Sequence, residues 1–296
     1  MKLGLGLYKH MLNKQHFDFA KQCGCTHLIV HLVDYFNKGN QISNNDQPIG
    51  DGSGWGIAGD PNKIWSVEEL LNLKRAINSS GLELEAIENF DPANWHDILL
   101  DGPCKKKQME DVKQIIRNVG KAGIPIMGYN FSLAGVSSRI TGGFARGGAL
   151  SVAMEGGDDR PIPNGMVWNM VYETNAKKGN MPMITHDELW SRLNYFLEEL
   201  VPVAEEAGVV LAAHPDDPPV PLLRGTPRLV YQPDMYQKLL DIKPSKSNAL
   251  EFCLGSIAEM TEGDVYQATE QYTDHIAYIH FRNVRGKAPH YKEVFV

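Results

Sequence analysis

Three residues that can bind a metal end three separate apolar runs of this 296-residue chain. His214 follows Val209-Val-Leu-Ala-Ala, Cys253 ends Ala249-Leu-Glu-Phe-Cys, and His280 ends Ile276-Ala-Tyr-Ile-His. Imidazole and thiolate suit Fe(II), Zn(II), Co(II) or Mn(II), with a carboxylate helping to hold the harder ions. If the runs are consecutive strands of one parallel sheet, their ends are neighbours and the three side chains can converge on one ion. A plainer use exists for each residue alone. A single cysteine inside a strand commonly packs as a small hydrophobe, and a single histidine at a strand end is commonly structural. Three of them in register are less easily explained that way.

Other polar groups fall at strand ends: Glu88, Asn130, and Arg282 with Asn283. A guanidinium at Arg282 suits a bidentate pair with a substrate carboxylate, and equally an ion pair closing the rim. Glu88, Asn130, Arg282 and Asn283 are therefore candidate substrate contacts. Cys23-Gly-Cys25 is close enough to chelate, but it sits at a helix stop, where core packing is the better reading. His27 and His31 share one face of a strand, as a surface or core pair. His10 falls in the first loop of the mouth, and Lys105-Lys-Lys107 reads as a solvated helix start.

The elements that must position these groups follow a repeated pattern. Helix, glycine stop and apolar strand recur, which is the signature of βα units around a parallel sheet. Ser66-Val-Glu-Glu69 and Thr185-His-Asp-Glu188 are capping boxes, each with flanking apolar residues placed as a staple. The helices they open stop at Gly81 and Gly208, and others stop at Gly24 and Gly123. Apolar runs predict seven strands, near Leu3, Leu28, Leu84, Ile126, Val210, Leu250 and Ile279. A closed (β/α)8 barrel needs eight, so the expectation is an α/β TIM barrel lacking its last βα unit in this chain. We expect one domain over 1–296, with 131–183 inserted after the fourth strand as a lid over the C-terminal mouth. The glycine cluster Gly142-Gly-Phe-Ala-Arg146-Gly-Gly in that insertion lacks the lysine and spacing of a phosphate loop. A second glycine-rich stretch, 37–61, reads as a long loop over the site and carries Trp55.

Composition sets the outer bounds. The chain is 43% hydrophobic and 22% charged, with net charge -7 and a pI near 5.8. An acidic balance disfavours a nucleic-acid partner. No run approaches the roughly 18 apolar residues of a membrane span, and the N-terminal apolar run is too short for a signal peptide. Four cysteines without a disulfide or zinc-ribbon spacing fit the reducing cytoplasm. Sheet edges beside a missing strand favour association, so a homo-oligomer is expected.

Several stretches together carry a family resemblance. Gly81-Leu-Glu-Leu-Glu-Ala-Ile-Glu88, Ala122-Gly-Ile-Pro-Ile-Met-Gly-Tyr-Asn-Phe131, Leu211-Ala-Ala-His-Pro-Asp-Asp-Pro-Pro219, Glu251-Phe-Cys-Leu-Gly255 and His280-Phe-Arg-Asn-Val284 resemble D-mannonate dehydratase. The resemblance implies a xylose-isomerase-like TIM barrel that uses Mn2+ or Fe2+. It implies dehydration of D-mannonate, a sugar acid, to 2-keto-3-deoxy-D-gluconate in hexuronate breakdown. It also implies that His214, Cys253 and His280 are metal ligands. Two departures stand out. The family's further Asp ligand and acid/base residues follow the seventh strand, and this sequence ends at Val296 where that motif should begin. The family's tryptophan after the fourth strand is replaced by Gly135-Val-Ser-Ser-Arg-Ile-Thr141. An isomerase or epimerase of a related sugar is the second enzymatic reading. A chain that binds metal without turnover is the non-catalytic one.

Overall fold

The computed structural model describes residues 2–38, 41–42 and 56–295, so Trp55 and most of its glycine-rich stretch lie outside the described residues. Seven parallel strands run in sequence order: β1 (Gly4–Leu7), β2 (His27–His31), β3 (Glu83–Glu88), β4 (Ile126–Tyr129), β5 (Val210–Ala213), β6 (Asn248–Cys253) and β7 (Ile276–His280). Each apolar run predicted to be a strand is one. Among the described residues β1 and β7 are the sheet edges and do not pair with each other.

Strand periodicity sorts the side chains into two apolar layers. Leu28, Val30, Leu84, Ile87, Met127, Leu211, Leu250 and Phe252 pack outward against helices. Ala86, Ile126 and Ala212 point the other way, into a smaller cluster with Ile29 and Tyr278. Adjacent residues face opposite sides of a strand, so one run serves both layers. Each fully buried large side chain contributes about 1.5–3 kcal/mol.

The helices are α1 (Lys14–Gln22), α2 (Val67–Ser79), α3 (Pro92–Leu100), α4 (Lys105–Lys121), α5 (His186–Ala207), α6 (Met235–Ile242), α7 (Leu254–Glu259) and α8 (Val265–Tyr272). Both capping boxes form. Ser66 Oγ accepts the Glu69 amide while the Glu69 carboxylate accepts the Ser66 amide. Those bonds and Lys63 hold the Glu69 carboxyl down to about 2. Thr185 and Glu188 repeat the arrangement on α5, which ends at Gly208 with φ 67°. Only glycine takes that left-handed conformation without cost. Ser66→Ala is expected to lower unfolding free energy by about 1 kcal/mol. An unshifted urea midpoint would show the cap to be redundant.

A separate four-stranded antiparallel sheet forms the outer sheet. Its order is Asn283–Lys287, His290–Val294, Ser151–Glu155 and Arg139–Gly142. The chain after β7 thus turns into this outer sheet and pairs with a segment that left the barrel after β4. No described helix is long and apolar enough to cross a membrane.

Candidate metal centre

Sheet register decides which strand ends meet. Cys253 and His280, the last residues of β6 and β7, are direct register partners. His214 follows β5, and its amide donates to the Tyr129 carbonyl at 2.8 Å, continuing the ladder by one residue. The His214 and His280 rings lie 5.4 Å apart between centroids. One ligand atom from each of His214, Cys253 and His280 lies within 4.8 Å of the others.

Each imidazole is oriented from behind. His214 Nδ1 is 2.6 Å from the Pro215 carbonyl oxygen. A carbonyl only accepts, so Nδ1 carries a proton and Nε2 is the nitrogen left to face Cys253. His280 Nε2 is 2.9 Å from Glu88 Oε1. Metal-binding histidines habitually donate their second nitrogen to a carbonyl or carboxylate in this way. Cys253 accepts the Ser256 amide at 3.4 Å. Burial opposes its ionisation, yet Arg282, His214 and His280 outweigh that and hold the thiol well below its ordinary range. Burial also disfavours charge on His214, but the bond to Cys253 and the nearby Glu251 push it up to about 9. A thiolate and two oriented imidazoles are a donor set fit for a divalent transition metal.

Beneath this group lies a second one. Glu88, Glu251 and His280 also bring ligand atoms within 4.8 Å of one another. Glu88 and Glu251 are 5% and 3% exposed, two carboxylates in one buried space. Burial, then Glu88, pushes Glu251 up to about 7. For Glu88, burial is outweighed by His280 and His31, which hold it well below the carboxylate range. Gly128 makes the room: a Cβ there would lie 2.6 Å from Glu251 Oε2 and 2.7 Å from the Tyr278 hydroxyl. Gly128→Ala is expected to push these groups toward His280 and weaken Co2+ binding at least tenfold by equilibrium dialysis, by disturbing what lies behind a ligand. Unchanged affinity would show that the pocket yields freely.

The other residues singled out in the sequence fall as follows. Asn130 donates from Nδ2 to the Pro215 carbonyl at 3.1 Å and accepts the Trp168 indole N–H at 3.2 Å. It joins the His214 turn to the far wall of the cavity. Arg282 meets Glu259 at 2.8 Å, Asp217 at 3.1 Å and Glu293 at 2.5 Å. Asp217 also takes Arg139 at 2.6 Å, so the acidic turn after His214 is tied to both the outer sheet and the end of β7. Asn283 is exposed and donates to the Phe295 carbonyl, away from the cavity lining. Cys25 is buried, and Cys23 and Cys104 are exposed. His27 and His31 both line the barrel interior, beside Glu85 and Glu88 respectively.

The centre opens into a cavity of about 1570 Å³ whose lining includes Tyr8, His31, Asn130, Arg139, Trp168 and Tyr278. Several of these were missed in the sequence. Glu251 and Tyr278 stand two residues before Cys253 and His280, and alternation alone puts them on the same face. Trp168 comes from the segment between β4 and α5 and is held at φ 53°. It supplies an indole to the cavity although 135–141 has none. No periodicity marks such a residue.

The D-mannonate dehydratase (UxuA) family model matches residues 34–153 and 161–294. Mannonate dehydratase from Streptococcus pneumoniae is 32% identical over 247 residues, 78% of this chain and 66% of that protein. The enzyme from Geobacillus thermodenitrificans is also 32% identical, over 75% of this chain and 64% of its own length. The chain thus spans just under two-thirds of the length of these curated relatives. The crystal structure of mannonate dehydratase from Streptococcus suis superposes with a TM-score of 0.75 at 28% identity, covering 99% of this chain and 74% of that one. D-psicose 3-epimerase from Clostridium cellulolyticum, at TM-score 0.55 and 12% identity, shares the fold alone.

Proposed function

This chain belongs to the D-mannonate dehydratase family, and on that premise we propose that it is a hydro-lyase converting D-mannonate to 2-keto-3-deoxy-D-gluconate. The observation that carries the reading is the meeting of His214, Cys253 and His280 at three adjacent strand ends. We assign these three as ligands of Mn2+ or Fe2+. The free cysteines fit a cytoplasmic setting.

The reaction removes the proton beside the carboxylate and the 3-hydroxyl, together one water, and leaves an enol that tautomerises to the keto acid. A bound divalent ion would supply the Lewis acidity that stabilises the negative charge developing next to the carboxylate. The chain's own residues prepare the place. The Pro215 carbonyl and Glu88 fix the two imidazoles. Arg282 favours the thiolate of Cys253. Asn130 holds Trp168 against the cavity, and Arg139 of the outer sheet reaches the cavity lining, where it pairs with Asp217.

The test is the anaerobic assay of the purified protein with D-mannonate. Keto acid should form with Mn2+ or Fe2+ and stop on chelation. No product with either metal overturns the proposal.

A further inference from the structure

We infer that Glu88 is the positioning residue of the metal centre: it selects which nitrogen of His280 faces the ion. The inference rests on the proposed metal reading and goes beyond it. His280 belongs to two groups, one with Cys253 and His214 and one with Glu88 and Glu251. An imidazole presents one lone pair when neutral, so the side that holds the proton cannot hold the metal. Glu88 Oε1 accepts from His280 Nε2 at 2.9 Å, and Glu251 Oε1 lies 3.4 Å from the same nitrogen, so Nδ1 is the nitrogen with a lone pair to offer an ion shared with Cys253 and His214.

Glu88 is itself held in place. Its Oε2 meets His31 Nε2 at 2.9 Å, and the Tyr278 hydroxyl donates to Oε1 at 2.9 Å. His31 Nδ1 lies 3.3 Å from the Tyr35 hydroxyl, which in turn accepts from Asn89 Nδ2 at 3.1 Å. Asn89 is at φ 65°, and its amide is bonded to the Gly128 carbonyl. The carboxylate thus has donors on both oxygens, from β2 and β7, and cannot turn to meet an ion without breaking them. A second cation seat at Glu88, Glu251 and His280 would need those bonds undone. The geometry therefore makes Glu88 an orienting group and not a ligand.

Co2+ alone is the probe, because a thiolate ligand gives it a near-ultraviolet charge-transfer band. The wild-type protein should show that band, and Cys253→Ala should not. Absence of the band in the wild type would remove the metal-centre reading itself. Glu88→Ala should weaken Co2+ binding by about 10- to 100-fold and diminish the band. Glu88→Gln, whose amide oxygen still accepts an N–H, should recover part of both. If Glu88→Ala binds Co2+ as the wild type does with an unchanged band, the inference fails. Should that variant not fold, nitrogen chemical shifts of His280 in the Zn2+-loaded wild type decide the matter. A proton on Nε2 and metal on Nδ1 support the inference, and the reverse overturns it.

Discussion

Cys253→Ala is expected to cost about 10³-fold in kcat/KM for keto-acid formation and to abolish tight Mn2+ binding, with the fold intact. The figure corresponds to roughly 4 kcal/mol of transition-state stabilisation, the scale of Lewis-acid help at a developing charge. Cys253 is the one soft donor of the group, and its thiolate is held by Arg282 and the two histidines. Removing it leaves two imidazoles, which bind a divalent ion far less tightly than three fixed ligands. The side chain is small and sits beside the cavity, so its loss opens little new void. Metal titration and steady-state kinetics on the same preparation check the result. Wild-type metal affinity in this variant would remove the thiolate from the centre.

Asp217→Asn is expected to destabilise the protein by about 3–5 kcal/mol at neutral pH, the usual cost of breaking a buried ion pair from one side. Asp217 lies between Arg139 of the outer sheet and Arg282 at the end of β7. Burial alone would raise its pKa, but Arg139 and then Arg282 hold it well below the carboxylate range. The sign follows from linkage. A folded-state pKa depressed below the unfolded value of about 3.9 gives stability that is fully present above that value. It is lost as pH falls from about 5 toward the folded-state pKa. Wild type and variant should therefore differ most near pH 7, and the gap in urea-unfolding free energy should narrow by pH 3. A gap constant over that range would mean the carboxylate's charge is not what joins the outer sheet to the barrel.

Much of this arrangement was readable in the residues. Most of the strands are short, largely apolar runs and Glu83–Glu88 alternates, so all seven were readable, and His214, Cys253 and His280 stood out as polar groups at strand ends. Consecutive strands being neighbours, Cys253 and His280 had to be adjacent. The outer sheet was not readable, because it pairs Ser151–Glu155 with His290–Val294 across a long stretch of sequence. Only tertiary packing brings those two together. For the same reason the setting of Arg282 stayed open between a substrate contact and an ion pair: its partners Glu259 and Glu293 arrive from α7 and the outer sheet. Glu88 was visible as a polar strand end, but its hold on His280 spans the barrel from β3 to β7. A chain read in order does not show that crossing.

The account depends most on one ion bound jointly by a sulfur and two ring nitrogens. X-ray absorption at the cobalt edge of the Co2+-loaded protein tests this directly. The prediction is one ion per chain with a single sulfur in a shell otherwise of nitrogen and oxygen, and no sulfur in Cys253→Ala. A wild-type shell of nitrogen and oxygen alone would place the ion among the carboxylates instead and contradict the account.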